Sequence, residues 1–326
     1  MKIGKVPPEV LERLVWGRRG AFRKEVVVGP ALGEDAAIID LGGRYLAVHT
    51  DPISGSVKLL GYLAAYVPTN DVAVRGVEPM WLSVAVFLPP EVDEGVLDVI
   101  TGQLDSAARE LGVAVVGGHT EVTTAVTRPL AVVTAIGVGS RYVSTSGARP
   151  GDYVIMTKSA GQEAASILAA DFEEEALRRG VDRSAVEKAK EFIRRISVTR
   201  EALALADVAT AMHDPTEGGL ANGLAEVAYA SGVSIAADPG GITVYPEVEA
   251  LCRAFGIDPL ETLSSGVLIA TVPPDRLAEA EERLRKIGVS HSVIGRVAPR
   301  GDYLVKIGER TYVKPYVEDK LFSLFK

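Results

Sequence analysis

One cysteine, Cys252, in 326 residues excludes an internal disulfide and any zinc site built on several thiolates, and it suits a reducing compartment. Its spacing from Val248 and Phe255 in "YPEVEALCRAFG" predicts a helix with the thiol packed inward. No apolar run approaches the length of a membrane span, and "MKIGKVPPEV" has no apolar stretch of a secretory leader, so the expected location is cytoplasmic. Histidine is scarce too. There are four, no two are neighbours, and H-E-x-x-H is absent. Lys/Arg-rich blocks are missing, and 35 basic against 43 acidic residues leave a net charge of −8, which argues against a nucleic-acid partner. Neither G-x-x-x-x-G-K-[ST] nor G-x-G-x-x-G with a following acid occurs. Any nucleotide site is therefore neither a P-loop nor a Rossmann crevice.

What remains is an ordinary globular balance, 47% apolar and 24% charged, in a chain long enough for two domains. "AAIIDLGGRYLAVHTD" reads as a hairpin around Gly-Gly. "VKLLGYLAAYV" has helical spacing, with Val57, Leu60, Ala64 and Val67 on one face. "MWLSVAVFL" is a buried strand. "DEGVLDVITGQLDSAARELG" is an amphipathic helix ending at Gly112, and "VAVVGG" and "LAVVTAIGVG" add strands. A Ser/Gly/Pro-rich run, "SRYVSTSGARPGD", predicts a boundary, giving domains 1–146 and 147–326. Beyond it strands and helices alternate again, closing on the hairpin "YLVKIGERTYVK". The expected class is α/β (α+β), with a mixed sheet in the second half.

Four stretches end an apolar run with a carboxylate beside Gly, Thr or Asn: "GEDAA" (Glu34, Asp35), "HTD" (His49, Thr50, Asp51), "TND" (Asn70, Asp71) and "GGHTE" (Gly117, Gly118, His119, Thr120, Glu121). Taken singly, such an acid is a turn or cap residue. Two converging carboxylates about 4 Å apart would repel by roughly 4 kcal/mol at an effective dielectric near 20. A divalent ion removes that cost, and all-oxygen ligands favour magnesium. The rival is zinc or iron, because His49, His119 and His213 each lie within two residues of an acid. In "HDPTEGGLANGL" Thr216 or Asp214 can cap a helix beginning near Gly218. Gly218 and Gly219 would instead leave backbone N–H groups open to an anion.

In order, "GEDAAIID", "HTD", "PTNDVAVRGVEPMWLS", "VVGGHTEV", "GARPGDYVIMTK" and "HDPTEGGL" resemble the ATP-dependent family of aminoimidazole ribonucleotide synthetase (PurM-like). That family includes thiamine-monophosphate kinase and the hydrogenase-maturation protein HypE, and the HypE branch is the most similar. The resemblance implies two domains and a homodimer whose N-terminal domains share a β-barrel. It implies ATP and Mg2+ in the adjoining cleft, and transfer of the γ-phosphate to a small or carrier-bound acceptor. Asp35, Asp51, Asp71 and Glu121 would hold the metal, with Thr50, Asn70, Gly117, Gly118, Gly218 and Gly219 completing the nucleotide site. Asp214, His119 and His213 would serve the chemistry. A maturation-complex protein is an implied partner. The alternatives are a thiamine-monophosphate kinase-like enzyme and a non-catalytic nucleotide-binding scaffold. Three departures point to an altered acceptor: Glu217 in "HDPTEGG", where the HypE pattern has arginine, "LSSGVL" in place of an acidic stretch, and "KLFSLFK" without the tail cysteine.

Overall fold

The computed structural model describes residues 4–325; residues 1–3 and Lys326, at the ends of the two predicted domains, lie outside that range. The first half runs α1 (Pro8–Leu11), β1 (Val26–Val28), β2 (Ala37–Asp40), β3 (Tyr45–Ile53), α2 (Leu60–Ala73), β4 (Pro79–Leu88), α3 (Glu94–Leu111), β5 (Ala114–Val122) and β6 (Leu130–Gly139). These strands form one six-stranded sheet, order β1-β2-β3-β6-β4-β5, antiparallel except where α3 carries β4 over to a parallel β5. Asp93 caps α3 by accepting from Val96 N, and Gly112 ends it in the left-handed conformation at φ 71°.

The second half runs β7 (Tyr153–Thr157), α4 (Gln162–Asp171), α5 (Glu173–Arg178), α6 (Arg183–Lys190), α7 (Thr199–Leu205), β8 (Ala211–His213), α8 (Gly219–Ala230), β9 (Val233–Ala237), α9 (Pro246–Phe255), β10 (Ile269–Val272), α10 (Leu277–Lys286), β11 (His291–Pro299), β12 (Val305–Ile307) and β13 (Arg310–Tyr312). Its seven-stranded sheet is mixed, order β13-β12-β9-β11-β7-β10-β8, with β12 parallel to β9. Neither sheet closes into a barrel among the described residues.

One expectation is corrected. Val57 precedes α2 and is exposed, and the helix has no single inward face: all its residues but Tyr62 are buried. The reason is position, because α2 lies against the first sheet, α3 and α7 at once. Its apolar residues other than Pro68 and Ala73 belong to a cluster that continues through α4, α6 and α9 to Leu321 and Phe322. Cys252 is buried on α9, as its spacing predicts.

Candidate active site

Strand parity places the first two site residues. His49 and Asp51 share one face of β3, while Thr50 faces the other way, its hydroxyl 2.9 Å from that of Thr134. His49 Nε2 lies 2.9 Å from Asp51 Oδ1 and 3.8 Å from Asp71 Oδ2. Asp71 is in the last turn of α2, and Arg75 follows one helical turn later. The fully buried Arg75 guanidinium pairs with Glu34 and donates from Nη2 to Asp35 Oδ2 at 2.7 Å, Thr145 Oγ1 at 2.5 Å and the Met212 carbonyl at 3.0 Å. Asp35 is thereby fixed in the loop before β2. β8 delivers His213, with Nδ1 2.6 Å from Asp35 Oδ1 and Nε2 3.0 Å from Glu226 Oε2 of α8. Lys5 Nζ meets Glu226 Oε1 at 2.8 Å. The result is a chain of alternating charge, Glu34–Arg75–Asp35–His213–Glu226–Lys5, which joins both halves and the N-terminal segment.

Asp214 follows β8 and completes the cluster. One carboxylate oxygen each from Asp35, Asp71 and Asp214 lie within 4.8 Å of one another, as do ligand atoms of His49, Asp51 and Asp71. Asp71 Oδ2 and both oxygens of Asp214 are buried without a hydrogen-bond partner among the described residues. Burial, then Asp51 and Asp35, push the Asp71 carboxyl well above the usual range. Burial, then Asp71 and Asp35, do the same to Asp214. Three convergent carboxylates, two of them with unpartnered oxygens, fit a hard divalent cation, which would supply the missing bonds and offset the repulsion. Burial pulls the His213 imidazole down, but Asp35 and then Glu226 outweigh it and hold it up at about 10. His213 thus stands between two carboxylates, its Nε2 hydrogen-bonded to Glu226 and its Nδ1 close to Asp35, where it braces that side chain.

The cluster lies at one side of a cleft of about 560 Å³, also bordered by Lys5, Trp16, Arg128, Glu163, Glu217 and Phe322, within the size range of small-ligand sites. Several residues expected in the site stand elsewhere. Asn70 bridges into the second half, donating to the Ile196 carbonyl and accepting from Val198 N, both at 2.8 Å. Gly117, Gly118, His119 and Glu121 lie on β5, which is exposed along its length. His119 and Glu121 pair there at 3.2 Å. Gly118, at φ 146°, permits close approach to β4, where a Cβ would come within 1.7 Å of the Val84 carbonyl oxygen. At α8 neither Thr216 nor Asp214 is the cap. Gly218 is, and its N–H goes to Asp319 Oδ2 at 3.3 Å, while the Gly219 N–H goes to the Thr216 carbonyl at 3.0 Å. Those amides are therefore not open to phosphate: the half-buried Asp319 carboxylate already holds the helix end.

Arg75, Glu226, Lys5 and Glu163 were missed from sequence. Two carried a signal. Asp71 and Arg75 have the i, i+4 helical spacing, and Glu226 is a lone acid in the apolar helix "LANGLAEVAYA", where a buried partner is required.

Residues 33–139 match the AIR synthase related protein, N-terminal domain, and residues 149–307 the corresponding C-terminal domain. Carbamoyl dehydratase HypE of Rhodobacter capsulatus is 31% identical over 80% of this chain and 78% of its own. Thiamine-monophosphate kinase of Pyrococcus horikoshii is 28% identical over 90% and 88%. The solved structure of hydrogenase maturation protein HypE in complex with ATP is 29% identical, covers 84% of this chain and 83% of its own, and superposes with a TM-score of 0.67. On the two domain matches and the relative above 30% identity, the chain belongs to the AIR synthase related family.

Proposed function

We propose that this protein is a magnesium-dependent, ATP-using enzyme that transfers the γ-phosphoryl group to an oxygen of a small or carrier-bound acceptor. The observation that carries the reading is the convergence of Asp35, Asp71 and Asp214, with oxygens of Asp71 and Asp214 buried and unpartnered among the described residues. The thiamine-monophosphate kinase relative and the solved structure of HypE in complex with ATP support it. In the transfer, a bond forms between the acceptor oxygen and Pγ while the bond from Pγ to the β,γ-bridging oxygen breaks, and ADP leaves. Magnesium, held by Asp35, Asp71 and Asp214 and supported by Asp51 and His49, would neutralise phosphate charge as it builds. The chain's own part is positional: Arg75 and His213 fix the two oxygens of Asp35, and the apolar side chains of Ile53, Leu63 and Leu263 wall the cleft. Glu217 and the Ser264–Ser265 segment favour an acceptor unlike that of HypE. The homodimer belongs to the same proposal, since a twofold pairing through β5 would cover an exposed edge and bring His119 and Glu121 against a second copy.

Calorimetric titration of ATP with and without Mg2+, followed by ADP release with thiamine monophosphate or a carbamoylated cysteine peptide as acceptor, tests the reading. Magnesium-dependent binding is expected. No binding, with zinc or iron found in the purified protein, overturns it in favour of a histidine-metal centre. ADP release with thiamine monophosphate assigns the kinase reaction.

A further inference from the structure

The cleft is rich in acid, yet its proposed ligand is a polyanion, so the source of fixed positive charge decides how a phosphate chain could enter. Most cations around the cleft are committed. His213 is held between Asp35 and Glu226, and His49 lies against Asp51 and Asp71. Arg75 is fully buried behind Asp35. The Arg128 guanidinium covers the Phe325 ring at 5.0 Å. Lys5 differs. Among the described residues its ammonium has one hydrogen-bond partner, Glu226 at 2.8 Å, and its side chain is 42% exposed. An ammonium has three N–H donors, so two remain.

The segment that carries Lys5 is seated on the cleft. Gly4 and Lys5 border it together with Leu11 and Trp16 further along, and Pro8 opens the short helix between them. Glu226, with Glu217 and Asp35 adding, holds the Lys5 ammonium above its ordinary range. Burial raises the Glu217 carboxyl, and Lys5 acts against that rise through its charge and its backbone N–H. Lys5 is therefore a cation that borders the same cleft as the metal-type cluster.

We propose that Lys5 is a phosphate-binding residue, delivered by the N-terminal segment, which donates its remaining N–H groups to the phosphate chain of a nucleotide in the cleft. The assignment rests on the nucleotide reading above and adds to it a cation that borders the same cleft as the acids. Calorimetric titration of MgATP into the full chain, Lys5→Met and Lys5→Arg tests it, with thermal unfolding in parallel. Lys5→Met keeps the apolar stem and should weaken MgATP about ten-fold or more, while Lys5→Arg should stay within about three-fold, as expected for one charge-assisted contact. Added salt should weaken MgATP less in Lys5→Met than in the parent chain, because one screened cation is gone. Equal affinity in the parent and Lys5→Met overturns the assignment and leaves the nucleotide reading standing. An equal loss in Lys5→Met and Lys5→Arg overturns it as well, since charge would then not be what matters. No MgATP binding by the parent chain overturns both.

Discussion

Asp71 belongs to both groups of convergent side chains, with Asp35 and Asp214 on one side and His49 and Asp51 on the other. Replacing it with asparagine removes a ligand oxygen's charge but relieves repulsion among its neighbours. Asp71→Asn should therefore weaken MgATP by roughly 100-fold, about 2.7 kcal/mol, while the ligand-free protein melts no lower than the parent. Calorimetry and thermal unfolding of one sample check both halves, and unchanged MgATP affinity would remove Asp71 from the metal assignment. Glu163 poses a different case. Burial raises its carboxyl from 4.5 to about 7, although Ser265 N donates to it at 3.1 Å. A folded-state value above the unfolded one means the folded chain binds the extra proton. The neutral form is stabilised below pH 4.5, and stability is lost as pH rises through about 7. Glu163→Gln keeps an acceptor for Ser265 and cannot ionise. Its gain over the parent in urea unfolding should grow from near nothing at pH 4 to about 3 kcal/mol at most by pH 8. A flat difference across that window would show that Glu163 titrates normally.

At the scale of elements, the start of α8 is held from a distance. Asp319 accepts from Gly218 N at 3.3 Å, Thr262 Oγ1 at 2.8 Å and Leu321 N at 3.0 Å, so the C-terminal segment supplies a cap that local sequence does not. Asp319→Ala should cost about 1–2 kcal/mol in urea unfolding, the value of a lost helix cap; no change would mean that water replaces it. That cap shows where legibility ended. Elements with an exposed face were readable: α3 from its apolar spacing and Gly112, the β2–β3 hairpin from Gly-Gly. α2 was not readable in the same way, because a helix buried all round has no periodicity to reveal its facing. The acids of the site could be named from turn chemistry, yet their convergence joins β3, α2, β8 and the loop before β2, contacts that spacing cannot encode. Parity in β3 did hold usable information. It separates Thr50 from Asp51, and applying it would have removed Thr50 from the expected site.

For the molecule as a whole, β5 is the feature that a lone chain leaves unresolved. It is a nine-residue edge strand, exposed throughout, bearing Val115, Val116 and Val122 on its surface, an arrangement that invites pairing with another chain. Light scattering should give twice the 34.5 kDa chain mass, and Val116→Lys should shift it toward one; a monomeric parent would overturn the proposed dimer. The apolar cluster that runs from α2 and α3 through α4, α6 and α9 to Phe322 has a separate consequence. The Ser/Gly/Pro-rich stretch lies between the strands of the two sheets, yet the apolar packing runs across it. Either half made alone would expose the apolar surface that the other now covers, so the two should melt as one cooperative unit in calorimetry. A hinge opening wide enough to admit a nucleotide by separating the halves would have to breach that common interior, which leaves the rim of the cleft as the less costly way in.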